Sequence, residues 1–129
     1  MTKIGFLRFI FHISLALLVV LSLYPGSLMG LLFYGDLSRQ PDLIKNPFGT
    51  AINHFFSYTY ISLLGFFAYI RSSNFKKLFY WLLFLSIFLE AIQSILPART
   101  FQLVDLTSNI LGVLVAYFLV KLYLYFIKL

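Results

Sequence analysis

Four apolar stretches, at roughly 9–33, 52–70, 78–96 and 103–126, take up most of this 129-residue chain. Each is nineteen residues or longer. At about 1.5 Å of rise per residue, nineteen helical residues span roughly 28 Å, the thickness of a bilayer's hydrocarbon layer. Hydrocarbon offers no hydrogen bonds, so every backbone N–H and C=O of a spanning segment must be satisfied internally, and helices are the expected form. The predicted architecture is therefore all-α, a membrane-spanning bundle of four transmembrane helices forming one domain over 1–129. Pro25-Gly26 interrupts the first stretch, where proline's missing N–H is expected to kink the helix or end it early. Lys3 and Arg8 followed by an apolar run also resemble a signal peptide. That run continues to Phe33 with no A-x-A site after it, so a retained helix is expected.

The composition agrees: 61% of the residues are hydrophobic and 11% charged, against about 25% charged in soluble domains. Ten Lys and Arg outnumber four acids, giving a net charge of +6. In a soluble protein that excess would point to nucleic acid, but here the bases flank apolar segments and set topology instead. With four spans, one side carries Lys3, Arg8, Arg71, Lys76, Lys77, Lys121 and Lys128, and the other only Arg39, Lys45 and Arg99. Both termini are thus expected in the cytoplasm. The second and third spans should form a tight antiparallel hairpin closed by a basic turn over 71–77. The 34–51 segment, with Asp36, Arg39, Asp42, Lys45, Pro41 and Pro47, is expected as an ordered polar loop at the outer face. The absence of cysteine removes disulfides, thiolate metal sites and cysteine nucleophiles.

Two of the four acids, Glu90 and Asp105, lie in or beside apolar stretches. A carboxylate costs about 2.5–3.5 kcal/mol at mid-bilayer on insertion scales, less toward the interface, so such residues need partners and mark functional sites. Glu90 precedes Leu96 by six residues, about 9 Å of helix, and Asn109 follows Leu103 by the same number; the two should lie level on neighbouring helices. Glu90 and Gln93 are i,i+3 neighbours, while Asp105 and Asn109, like His54 and Tyr58, are i,i+4. Three helices thus bring polar groups to one membrane face. Arg99, two residues after Pro97, is expected to fold over Glu90 or Asp105, its planar fork suiting a carboxylate or phosphate. Ser108, Gly112 and Ala116 form a small-residue stripe that admits a closely packed helix. Asp105 could instead cap the last helix. Ser57, Ser86, Ser94 and Ser108 are expected to bond their own backbone. His12 lies at the opposite end from His54, so no two-histidine metal site is expected, and no cofactor is implied.

The run His54-x-x-x-Tyr58, then E-x-x-Q at Glu90 and Gln93, Arg99, and D-x-x-x-N-x-x-G at Asp105, Asn109 and Gly112, resembles the VanZ-like family of small bacterial membrane proteins. The resemblance covers 50–116. It implies several membrane helices in a bacterial plasma membrane and makes His54, Glu90, Gln93, Arg99, Asp105, Asn109 and Gly112 the motif positions. The founding member is linked to low-level resistance to the glycopeptide teicoplanin. Many members carry Asp-Lys shortly before the histidine, where this chain has Thr50-Ala51.

Three functions follow as expectations. The first is an outward-facing polar pocket, formed by His54, Tyr58, Glu90, Gln93, Arg99, Asp105 and Asn109, that binds a lipid headgroup, a lipid-linked cell-wall precursor, a glycopeptide or another amphiphile. The second is an intramembrane enzyme using His54 and Glu90 as acid and base on a lipid-linked substrate. The third is a structural helical protein. Membrane lipids are the partners expected, nucleic acid is not, and no oligomeric state follows from the sequence.

Overall fold

The first apolar stretch forms two helices rather than one. In the computed structural model, which describes residues 2–41 and 44–128, α1 runs over Lys3–Leu23 and α2 over Leu28–Tyr34. Thr2 opens α1, its hydroxyl accepting from the Gly5 N–H at 3.0 Å. The helix stops where Tyr24 turns extended (ψ 132°) ahead of Pro25, and Gly26 takes φ +102°, which only glycine adopts readily. Ser27 restarts the chain by accepting from the Gly30 N–H at 2.9 Å. The break anticipated at Pro25-Gly26 is therefore present, and the chain resumes as helix beyond it.

Three further helices follow: α3 (Ala51–Ala68), α4 (Phe75–Gln93) and α5 (Leu103–Ile127), with no strand among the described residues. α4 is displaced from the expected 78–96 at both ends. Lys76 and Lys77 belong to its first turn, and its end recedes to Gln93 because Pro97 disfavours helical geometry at the residue before it. Of the five helices, α1 and α5 are long and apolar enough to cross a membrane. α3 and α4, interrupted by Asn53 and His54 and by Lys76, Lys77 and Glu90, fall short of that test.

Packing centres on α3 against α5, which run parallel and share by far the most extensive interface. The expected tight hairpin of α3 and α4 is not the core of the bundle, since those two meet only lightly. The reason is Gly112. A Cβ there would lie 2.7 Å from the Phe55 carbonyl oxygen and 2.9 Å from the Thr59 nitrogen, so the α3 backbone rests on bare α5 backbone. Ala116, fully buried, continues that face with Val113 and Val120. Ser108 stands at its edge, half-exposed and bonded to the Val104 carbonyl at 2.8 Å, so the stripe is two small residues rather than three. Toward the opposite end, Phe66, Phe75, Phe79 and Tyr117 form an aromatic cluster, Phe79 and Tyr117 with ring centroids 4.1 Å apart.

The two ends of the bundle differ in charge. At one end, Arg8 lies 4.7 Å over the Tyr69 ring and donates to the Ala68 carbonyl, while Lys121 sits 5.5 Å over Phe75. At the other end, Ser27 N donates to the Leu37 carbonyl, closing the polar loop onto the α1–α2 break. Arg39 stacks 3.9 Å over Tyr34. The Asp36 carboxyl, bonded by the Ser38 hydroxyl and N–H, is held below its usual range by those bonds, with a smaller contribution from Arg39. Asp42, assigned to the same loop from the sequence, lies outside the described residues. Because the α3–α5 contact is backbone against backbone, Gly112→Val should destabilise the fold by about 1–3 kcal/mol through overpacking, read as a lowered thermal midpoint in detergent.

Candidate functional site

The site end is built around a helix that runs out of hydrogen bonds. In a continuous α1 the Leu21 carbonyl would accept from residue 25 and the Ser22 carbonyl from residue 26. Residue 25 is proline and has no N–H, and the chain has turned away before Gly26 can donate. Both carbonyls are supplied from elsewhere. Arg99 Nη2 donates to the Leu21 oxygen at 2.7 Å and Arg99 Nε to the Tyr24 oxygen at 3.3 Å. Gln93 Nε2 donates to the Ser22 oxygen at 3.1 Å. A guanidinium also suits the negative end of a helix dipole. Arg99 therefore does not fold over Glu90 or Asp105 as the sequence led us to expect; the carbonyls of a broken helix take its fork first. Burial disfavours its charged form, and nearby Glu90 opposes that.

Behind this cap lies a buried polar chain. Glu90 and Asn109 are each only 1% exposed. Asn109 Nδ2 donates to Glu90 Oε2 and to the Ser86 carbonyl, both at 3.4 Å, which turns Oδ1 toward His54 Nδ1 at 2.9 Å. An amide oxygen can only accept, so the His54 proton on that side sits on Nδ1. The other Glu90 oxygen accepts from the Gln102 N–H at 3.2 Å. This contact explains a displaced expectation. Glu90 lies three residues from the end of α4, not six, yet it remains level with Asn109 because the 94–102 turn dips back over it, with Ala98 at φ +55°.

Asp105 is the least satisfied member. Its Oδ2 lies 3.6 Å from His54 Nε2, a charge contact too long for a hydrogen bond, and its buried Oδ1 has no partner among the described residues. It does not cap α5: Gln102 is the cap residue, without a side-chain bond.

Beside the chain opens a cavity of about 160 Å³. Of the residues expected to share one pocket, His54, Tyr58, Gln93 and Arg99 line it, whereas Glu90, Asp105 and Asn109 stand behind His54 and do not. The cavity also takes in Ser22, Ser27 and Asn53, for which no part in the site was expected, and Ser57, which was expected to bond its own backbone. Asn53 Nδ2 donates to the Pro41 carbonyl at 2.9 Å, tying α3 to the polar loop, while its Oδ1 is buried without a partner among the described residues. One signal was available: Asn53 and Ser57 flank His54 at one and three residues. Ser86, Ser94 and Ser108 do bond their own helix backbone, at 2.7, 2.7 and 2.8 Å.

A family model described as VanZ/LLP1 matches residues 5–125. The chain belongs to the VanZ/LLP1 family. The match extends the resemblance from the polar motif to nearly the whole chain, α1 included. Searches among curated proteins and among solved structures found no match. Family membership, together with two helices apolar enough to cross a bilayer and an α1 on which Phe11 alone is buried while Phe6, Phe9, Ile13, Leu17 and Val20 are exposed, places the protein in association with membranes.

In this VanZ/LLP1 protein the arginine and glutamine of the motif act on the helix break itself, which a double-mutant cycle can read. Arg99→Ala should cost about 1.5–3 kcal/mol, the range for hydrogen bonds to a charged group. In a Pro25→Ala background, where residue 25 regains an N–H for the Leu21 carbonyl, the same change should cost less. Thermal unfolding of the four proteins in detergent measures the difference.

Proposed function

We propose that the protein crosses a bacterial plasma membrane with α1, α3, α4 and α5, both termini in the cytoplasm. On this reading the cavity faces outward and holds the polar head of an amphiphile. The charge asymmetry of the two ends supports the orientation, since the basic end carries Arg8, the α3–α4 turn and Lys121.

The observation that carries the binding reading is the cavity's make-up. Polar side chains from three helices and the 94–102 turn surround about 160 Å³, about five times water's share of liquid volume. That room suits a phosphate, amide or small sugar-like head and excludes a whole lipid, whose tail would lie along the exposed apolar helices. Ser57 and the Arg99 N–H groups not spent on α1 supply donors, and the free Asn53 oxygen an acceptor. A lipid headgroup or a lipid-linked cell-wall precursor fits this chemistry, with a glycopeptide as another amphiphile of the kind. Tolerance to teicoplanin or to envelope stress would be the cellular consequence.

An enzyme using His54 and Glu90 as acid and base is less well supported. Both Glu90 oxygens already accept bonds, and the His54 nitrogens face Asn109 and Asp105. Neither group is free to take a substrate's proton without dismantling the chain.

Asp105 separates binding from architecture. An under-satisfied buried carboxylate costs stability, so Asp105→Asn should leave the thermal midpoint unchanged or raised. We expect the cavity-filling Ser57→Trp to abolish teicoplanin or envelope-stress tolerance in bacteria expressing the chain at normal membrane abundance, and Asp105→Asn to do so through His54, which lines the cavity and whose Nε2 faces Asp105. Tolerance that persists in Ser57→Trp would exclude the cavity as the binding site. Reporters fused after residue 129 and within the α3–α4 turn test the orientation, and an external C-terminus would overturn it.

A further inference from the structure

A second, larger opening lies at the opposite end. The one fully buried residue of α1 is Phe11, whose ring occupies the space over Gly65, so that a Cβ there would lie 2.7 Å from its edge. This contact draws α1 onto α3 and leaves a groove of about 440 Å³ between α1 and α4. Phe11, Leu78 and Trp81 make its walls, and His12, Asn74 and Lys77 stand at its mouth. His12 and Ser22 are ten residues apart on α1, about 15 Å, so this groove is separate from the site above.

We infer that the groove binds one anionic phospholipid, its phosphate at the Lys77 mouth and an acyl chain along the Phe11–Trp81 walls. Charge complementarity decides the class. Among the described residues the ion-pair partners are His54 and Asp105 alone, so no carboxylate answers Lys77. Arg8, Arg71, Lys76 and Lys121 surround the same end, while the described acids, Asp36, Glu90 and Asp105, lie at the other. His12 Nδ1–H donates to the Arg8 carbonyl at 2.7 Å, which fixes the ring at the mouth and leaves its other nitrogen uncommitted. Lys77 and Asn74 are exposed, and their ammonium and amide donors have no partner among the described residues. Apart from Tyr69 the walls below this rim are apolar, and about 440 Å³ falls within the range of small-molecule pockets, about 300–1,000 Å³. An anion without a tail would leave those walls facing nothing that suits them, whereas a zwitterionic lipid brings a second cation to an already basic end.

Native mass spectrometry of the full chain in detergent, with phosphatidylglycerol or phosphatidylcholine added, tests the inference. One phosphatidylglycerol should be retained with about fivefold preference or more. Lys77→Glu, an exposed change, should remove that preference, and Lys128→Glu, at the same end but outside the groove, should not. Leu15→Trp, which fills the groove without altering charge, should also lose the lipid. Equal retention of the two lipids, equal effects of the two lysine changes, or full retention in Leu15→Trp would each overturn the inference. Displacement by soluble glycerophosphoglycerol would overturn it too, in favour of a phosphate site that needs no acyl chain.

Discussion

Two carbonyl oxygens at the end of α1, those of Leu21 and Ser22, set the form of the site end. Pro25 denies one its partner and the turn at Tyr24 denies the other. Left unmet inside an apolar bundle, each carbonyl would cost as much as a lost hydrogen bond. Gln93 and Arg99 meet that need from α4 and the turn beyond it. The three bonds clamp the first helix to the fourth. They also hold the α1–α2 break open beside α3, and the cavity is the space left between them.

The buried chain of Glu90, Asn109 and His54 depends on a different constraint, the close approach of α3 and α5 at Gly112. Only without a Cβ at that position can the Phe55 carbonyl and Thr59 nitrogen come so near. The approach brings His54 within 2.9 Å of Asn109. Asn109 then links α3, α4 and α5 through three polar contacts, which fixes its amide orientation and the place of the histidine proton. A buried polar chain of this kind is specific because each member's partners are all but used up. Asp105 is the exception, and its unpartnered oxygen is the point at which the chain is least settled.

Much of this was legible in the residues. Apolar length announced the helices and Pro25-Gly26 the break. The i,i+3 and i,i+4 spacing of Glu90, Gln93, Asp105, Asn109, His54 and Tyr58 announced that polar groups meet at one end. The partners were harder to read. Arg99 looked destined for a carboxylate because opposite charges attract, but backbone carbonyls do not appear in a sequence as acceptors awaiting a donor. Asn53 was passed over, and Ser57 assigned to its own helix backbone, because a lone amide or hydroxyl near a helix start has many uses; only the folded loop at Pro41 gives Asn53 its own. The depth of Glu90 was misjudged because the helix ended three residues early, and the turn restored the level by folding back.

By itself the sequence determined an all-helical, membrane-associated chain and which polar residues could not be left alone in an apolar setting. These follow from local physics: helix rise, proline's missing donor and the cost of an unpaired charge. Tertiary structure alone decided that the seven polar residues divide into a helix clamp, a buried chain and a cavity wall. It also decided that α3 pairs with α5 rather than with its sequence neighbour, and that a basic-ended groove opens beside α1. Those outcomes turn on distances of a few tenths of an ångström between backbones far apart in the chain, and a pattern of residue types carries no record of them.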